Sequence, residues 1–143
     1  DLFKGSLCII TPGKSSSPEA VEKLSAFWQS LGAEIDIMAP EMHDEVLAFT
    51  SHLPHIAAYA LAGSVSGKFF KYVSTGFKDT TRIASSDPGL WSDIFMSNRE
   101  NVLKTLEKYR KVLSGIEESI RANDAESLKE KLETYKRLRD EIS

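Results

Sequence analysis

The sequence predicts a mainly α-helical protein, a helical dimerisation domain preceded by the last strand–helix–strand of a truncated α/β domain. Three observations lead there. The first 38 residues run from an apolar segment through an amphipathic one to a second apolar segment. From Pro40 onward, apolar residues recur at spacings of three and four. The long stripes so formed carry more apolar surface than one small core requires, which points to a second copy.

Residues 6–12, "SLCIITP", read as a strand apolar on both faces, the kind found in a covered parallel sheet. In the next segment Ser17 is placed to cap a helix, Pro18 to open it and Gly32 to end it. Val21, Leu24, Phe27, Trp28 and Leu31 form its expected buried stripe. Residues 33–38, "AEIDIM", complete one crossover, yet two strands cannot bury themselves, so residues 1–38 read as the end of a larger domain. The start at Asp1 without methionine suggests the same.

Residues 39–143 form the expected helical domain. One long helix is expected over 41–66, kinked at Pro54 because proline there lacks an N–H and presses on the carbonyl of Thr50. The segment that follows is less regular, with Gly67 and Gly76 as bend points. Asp87 and Pro88 start a short helix holding Trp91, Ile94 and Phe95. Leu106, Tyr109, Leu113, Ile116 and Ile120 mark a long helix from about 98 to 121, and Leu128, Leu132, Tyr135 and Leu138 a final one.

Hydrophobic content of 41% and charged content of 27% are those of a soluble globular protein. A net charge of −3 supplies no electrostatic reason to bind nucleic acid or an anionic membrane. No apolar run approaches the roughly 20 residues of a membrane span. The lone Cys8 cannot form an internal disulfide, which favours a reducing, cytoplasmic setting.

The stretch "HDEVLAFTSHLPHIAAYAL", 43–61, holds all three histidines of the chain. At about 100° per residue, Asp44, Ala48, Ser51, His55, Ala58 and Ala62 fall on one narrow face, polar at one end and lined by small residues beyond. Three readings fit: core histidines satisfied by hydrogen bonds, a metal site on His52 and His55, or a pocket in which Ser51 and His55 converge on a ligand. In a second stretch, Lys78, Asp79, Thr80, Thr81 and Arg82 form a charge run that reads most simply as a solvated loop. Ile83 and Ala84 should bury the backbone beside Arg82, leaving a planar fork suited to a carboxylate.

Together "HDEVLAFTSHLPHIAAYAL" and "GFKDTTRIASSDPGLWSDIFMSN" resemble the C-terminal half of the prephenate/arogenate dehydrogenase family of tyrosine biosynthesis. The opening "DLFKGSLCIITP" is similar to the segment just after that family's catalytic histidine. The resemblance implies a dinucleotide-binding domain ending near residue 38, then an all-helical substrate-binding domain that forms a homodimer. It implies oxidative decarboxylation of prephenate or arogenate with NAD or NADP, the cofactor bound mainly by the domain ahead of this chain. It places no catalytic residue here. It makes Ser51 and His55 substrate-facing, Arg82 the holder of a substrate carboxylate, Asp79 its gate or orienting partner and Trp91 a pocket aromatic, all around a dianionic substrate. Where the family often has a run of glycines, this chain has "STGFKD". "TPGKSS", 11–16, looks like a phosphate loop but has Cys8 where that motif needs glycine. The other reading, from a different class, is a non-catalytic helical dimerisation module that keeps these residues for packing.

Overall fold

The computed structural model describes residues 2–142; Asp1 and Ser143, the outer ends of the two expected domains, lie outside the described residues. The chain divides after Val102 into two compact units.

The first unit opens on a parallel pair of strands, β1 (Leu7–Ile10) and β2 (Glu34–Ile37), in register from Leu7 opposite Glu34 to Ile10 opposite Ile37. Helix α1 (Pro18–Ser30) crosses between them, with the Ser17 hydroxyl accepting from the Ala20 N–H. Gly32 ends it at φ +89°, and a Cβ there would stand 3.1 Å from the Lys4 backbone, so the site excludes side chains twice over. The expected burial is not realised. Only Ile10 of the strands is buried, while Leu7, Leu24, Phe27, Leu31 and Ile37 are exposed. Two strands and one helix cover only one another's edges, so the rest of the stripe faces outward.

The single helix expected over 41–66 is instead two helices joined by a wide turn. Helix α2 (Pro40–Leu47) runs into a π-helical turn (Ala48–His52), and α3 (Leu53–Ser64) follows. The Leu53 N–H donates to the carbonyl of Ala48, five residues back rather than four. Pro54 supplies the reason. It has no N–H for the regular ladder, and widening one turn lets the chain skip that missing bond. The Thr50 hydroxyl donates to the Val46 carbonyl within the same turn.

Gly67 begins a 3₁₀ segment (Gly67–Tyr72), but Gly76 is no bend; it lies in the first turn of α4 (Thr75–Thr81). The charge run read as a loop therefore belongs to a helix, which ends in a second 3₁₀ turn (Arg82–Ser85) packed on α3. The Tyr59 hydroxyl donates to the Ser86 carbonyl across 2.9 Å and fixes the approach to α5 (Pro88–Ser97). The Asp87 carboxylate caps α5 by accepting from the Leu90 N–H at 2.7 Å.

Helix α6 (Arg99–Arg121) leads into the second unit, where α7 (Ala125–Asp140) pairs with it as a hairpin. Asn123 turns the chain at φ +52°. The ammonium of Lys131 on α7 donates to the hydroxyls of Ser119 and Ser127, at 2.9 and 2.6 Å. Leu106, Tyr109, Ile116, Leu128 and Tyr135 are half-buried, whereas Leu113, Ile120, Leu132 and Leu138 remain exposed.

The core of the first unit is thin and partly polar: Ala48, Ala58 and Val102 are buried beside His52 and Asn98. Burial lowers the pKa of His52 below the usual histidine value, only partly offset by the nearby Asp44 carboxylate. An unfolded imidazole takes up its proton near pH ~6.5, the buried one only at lower pH, so below about 6.5 the unfolded chain binds more protons. Stability should therefore fall on acidification from that point until the folded His52 itself protonates. Thermal unfolding followed between pH 8 and 5 should show this slope, and His52→Gln should flatten it.

Candidate functional site

The wide turn decides which side chains reach the site. Counting at a constant angle put Ser51 on the face shared by Asp44 and Ala48. Across a π-turn that count fails, because one extra residue is used per turn. The buried positions are Ala48, His52 and Ala58, while Ser51 and His55 are half-buried beside them.

His52 is 6% exposed, and its Nδ1 accepts from the side-chain amide of Asn98 at 3.4 Å. The same amide nitrogen donates to the Asp44 carbonyl at 2.6 Å. His52 is thus a core histidine with its Nδ1 hydrogen-bonded. His43 sits at the surface, its Nδ1 3.0 Å from the Asp44 carboxylate. Among the described residues, no three His, Cys, Asp or Glu side chains gather as a metal would require.

His55 differs from both. Its Nδ1 donates to the Ser51 carbonyl at 3.0 Å, which leaves Nε2 as the ring's remaining hydrogen-bonding atom. One face of its ring lies on the indole of Trp91, centroids 3.4 Å apart and planes 20° from parallel. Trp91 in turn is edged by His52 at 6.3 Å and Phe95 at 5.4 Å. The indole also borders an open, mostly apolar hollow of about 600 Å³ with Ile56, Tyr59, Ala60, Pro88 and Phe95. Ser51, His55 and Trp91 are therefore brought together from two helices and a turn.

Arg82 and Asp79 come from other elements, α4 and the 3₁₀ turn that packs on α3. Arg82 is exposed at the end of α4, at the head of the turn that packs on α3, and its guanidinium has no partner among the described residues. Asp79 is joined to it through the backbone, the Arg82 N–H donating to the Asp79 carbonyl. The arrangement offers an exposed planar cation on one element and an imidazole braced by an aromatic ring on the other. Such groups bind carboxylate and hydroxyl oxygens. Asn98 is the residue that sequence reasoning passed over; its only signal is an amide between an apolar helix and a charged one.

The β1–α1 turn does not form a phosphate cradle. The Gly13 N–H donates to the Ser16 hydroxyl and the Ala20 N–H to that of Ser17, so these amides are spent on their own loop.

No helix among the described residues is long and apolar enough to cross a membrane. Residues 39–134 match the family described as prephenate dehydrogenase, dimerization domain. The chain is 36% identical over 137 residues to a cyclohexadienyl dehydrogenase of Zymomonas mobilis, spanning 91% of this chain and 47% of that protein. It is 34% identical to a prephenate dehydrogenase of Bacillus subtilis, spanning 97% of this chain and 39% of that one. The chain thus spans less than half the length of these curated relatives. A crystal structure of Aquifex aeolicus prephenate dehydrogenase with hydroxyphenyl propionate and NAD+ superposes with a TM-score of 0.89 at 39% identity, over 99% of this chain and 52% of that one. Synechocystis arogenate dehydrogenase superposes with a TM-score of 0.84 at 29% identity, over 99% of this chain and 54% of that one. Family match, sequence identity and superposed fold agree, and the chain belongs to the prephenate dehydrogenase family.

Proposed function

We propose that this chain is the substrate-binding and dimerising part of a prephenate or arogenate dehydrogenase, which oxidatively decarboxylates its substrate with NAD or NADP. The observation that carries the reading is the His55–Trp91 stack, whose imidazole is anchored on Ser51 through Nδ1 and keeps Nε2 for a ligand. A histidine serving only the core would have both nitrogens committed or buried, as His52 nearly does.

In this reading His55 Nε2 and the Ser51 hydroxyl hydrogen-bond substrate oxygens, and Trp91 forms a wall. The Arg82 guanidinium pairs a carboxylate through two parallel N–H bonds, with Asp79 steadying it. Support for Arg82 is its exposed fork, without a partner among the described residues, on a turn held against α3. These groups bind and orient; this reading gives none of them the task of accepting the substrate's hydroxyl proton as hydride leaves the ring carbon. The nicotinamide dinucleotide is assigned to a preceding dinucleotide-binding domain, in keeping with relatives about twice as long and one solved with NAD+. The exposed Leu113, Ile120, Leu132 and Leu138 support a homodimer built on α6 and α7. The lone thiol of Cys8 supports a cytoplasmic setting.

This chain on its own should turn over no prephenate, and steady-state assays of the purified piece check that. Sedimentation at micromolar concentration should find a two-fold dimer; a monomer of unchanged helicity would refute the assignment of those apolar faces. In the intact enzyme, Arg82→Lys removes the fork. Loss of a charged hydrogen-bonded contact costs on the order of 2–4 kcal/mol, a roughly thirty- to thousandfold rise in KM. Cofactor affinity should hardly change, and His55→Asn should cost less because an amide keeps one hydrogen bond. A KM within about twofold of the parent's would remove the carboxylate clamp, since that is too small for such a contact.

A further inference from the structure

We propose that Asn98 and His52 are positioning residues for the substrate pocket: Asn98 fixes the His52 ring, and His52 holds the Trp91 indole parallel to His55. The inference rests on the reading of Ser51, His55 and Trp91 as a pocket wall and extends it to two buried residues behind that wall.

Asn98 is held before its side chain does anything. Its N–H donates to the Ile94 carbonyl at the end of α5, and its own carbonyl accepts from the Val102 N–H in the first turn of α6. The orientation of its amide is set as well, because Oδ1 accepts from the Asn101 side chain at 2.9 Å. Nδ2 is left to donate, and it meets the Asp44 carbonyl and His52 Nδ1. This makes Nδ1 of His52 the acceptor and places the ring proton on Nε2. Asn98 is 7% exposed and His52 is 6% exposed, so no water competes freely for these contacts.

A ring fixed in that way presents its edge to two aromatics at once. His52 meets Trp91 at 78° between planes and Phe95 at 69°, both edge-on. Trp91 therefore has His55 on one face and His52 and Phe95 at its margins. His55 is tied to the backbone only through Nδ1, so the tilt of its ring depends on the indole it stacks against. Without the Asn98 amide, His52 can turn about its side-chain bond, Trp91 loses an edge partner, and the His55 stack loosens. A purely structural Asn98 would tie α2 to the α5–α6 junction and stop there.

The test uses the intact enzyme carrying Asn98→Ala, with His52→Leu as a second variant of similar bulk and His55→Ala as the control. Asn98→Ala and His52→Leu should each raise KM roughly threefold to tenfold, the size of one lost aromatic pair, with kcat within about twofold. With selectively labelled histidine, the His55 Hε1 resonance, displaced by the indole ring current in the parent, should move back toward its free position in both. A lowered melting temperature with KM and the His55 resonance unchanged would mean that Asn98 is structural only, and the proposal falls. If His55→Ala raises KM but Asn98→Ala does not, the positioning role alone is lost; if His55→Ala also leaves KM unchanged, the pocket reading itself is lost. One measurement needs no variant. Imidazole ¹⁵N shifts of the parent enzyme at neutral pH should place the His52 proton on Nε2, and a proton on Nδ1 overturns the proposal outright.

Discussion

One missing hydrogen-bond donor organises the helical part of the first unit. Pro54 has no N–H, and in a regular helix interior that defect costs about 3 kcal/mol or more. The chain absorbs it by widening a single turn, so that Leu53 closes on Ala48 and the helix resumes beyond. The extra residue in that turn rotates everything downstream. His52 lies inward against Asn98, while Ser51 and His55, four residues apart, stay together at the margin. The site is thus a by-product of how a backbone fault is accommodated.

Around that turn, small residues and flat rings divide the work. Ala48 and Ala58 are almost wholly buried and let neighbouring elements approach closely. Trp91, Phe95, His52 and His55 then fill the space with rigid planes that carry few rotatable bonds. Rings already held in place lose little freedom when a ligand arrives, so contact made with them is converted more fully into affinity. The open apolar hollow beside Trp91 continues the same surface.

Features set by local chemistry were legible in the sequence. Ser17 with Pro18, and Asp87 with Pro88, start helices where their side chains can accept the first free amides, and both do. The stripes from Leu106 to Ile120 and from Leu128 to Leu138 produce the two long helices at the expected places. What escaped was set by distance or by exception. The His52–Asn98 bond joins residues 46 apart, which no periodicity records. The π-turn breaks the constant angle on which face-counting rests, and the charge run at Lys78–Arg82 folds as a helix that short-range composition does not distinguish from a solvated loop. The expected burial of Leu24, Phe27 and Leu31 presupposed covering strands, and the described residues form only two.

The β1–β2 pair has a consequence for handling the chain. Among the described residues each strand is bonded only to the other, so the outer margins have no strand partner beside exposed Leu7 and Ile37. Margins of that kind are templates for further strands, and natural proteins normally cover, charge or shorten them. At high concentration this corner is where chains would join side by side, in an association distinct from the one on α6 and α7. Acidic Glu34 and Asp36 on β2 stand against that joining, since two copies meeting along this strand would bring like charges together.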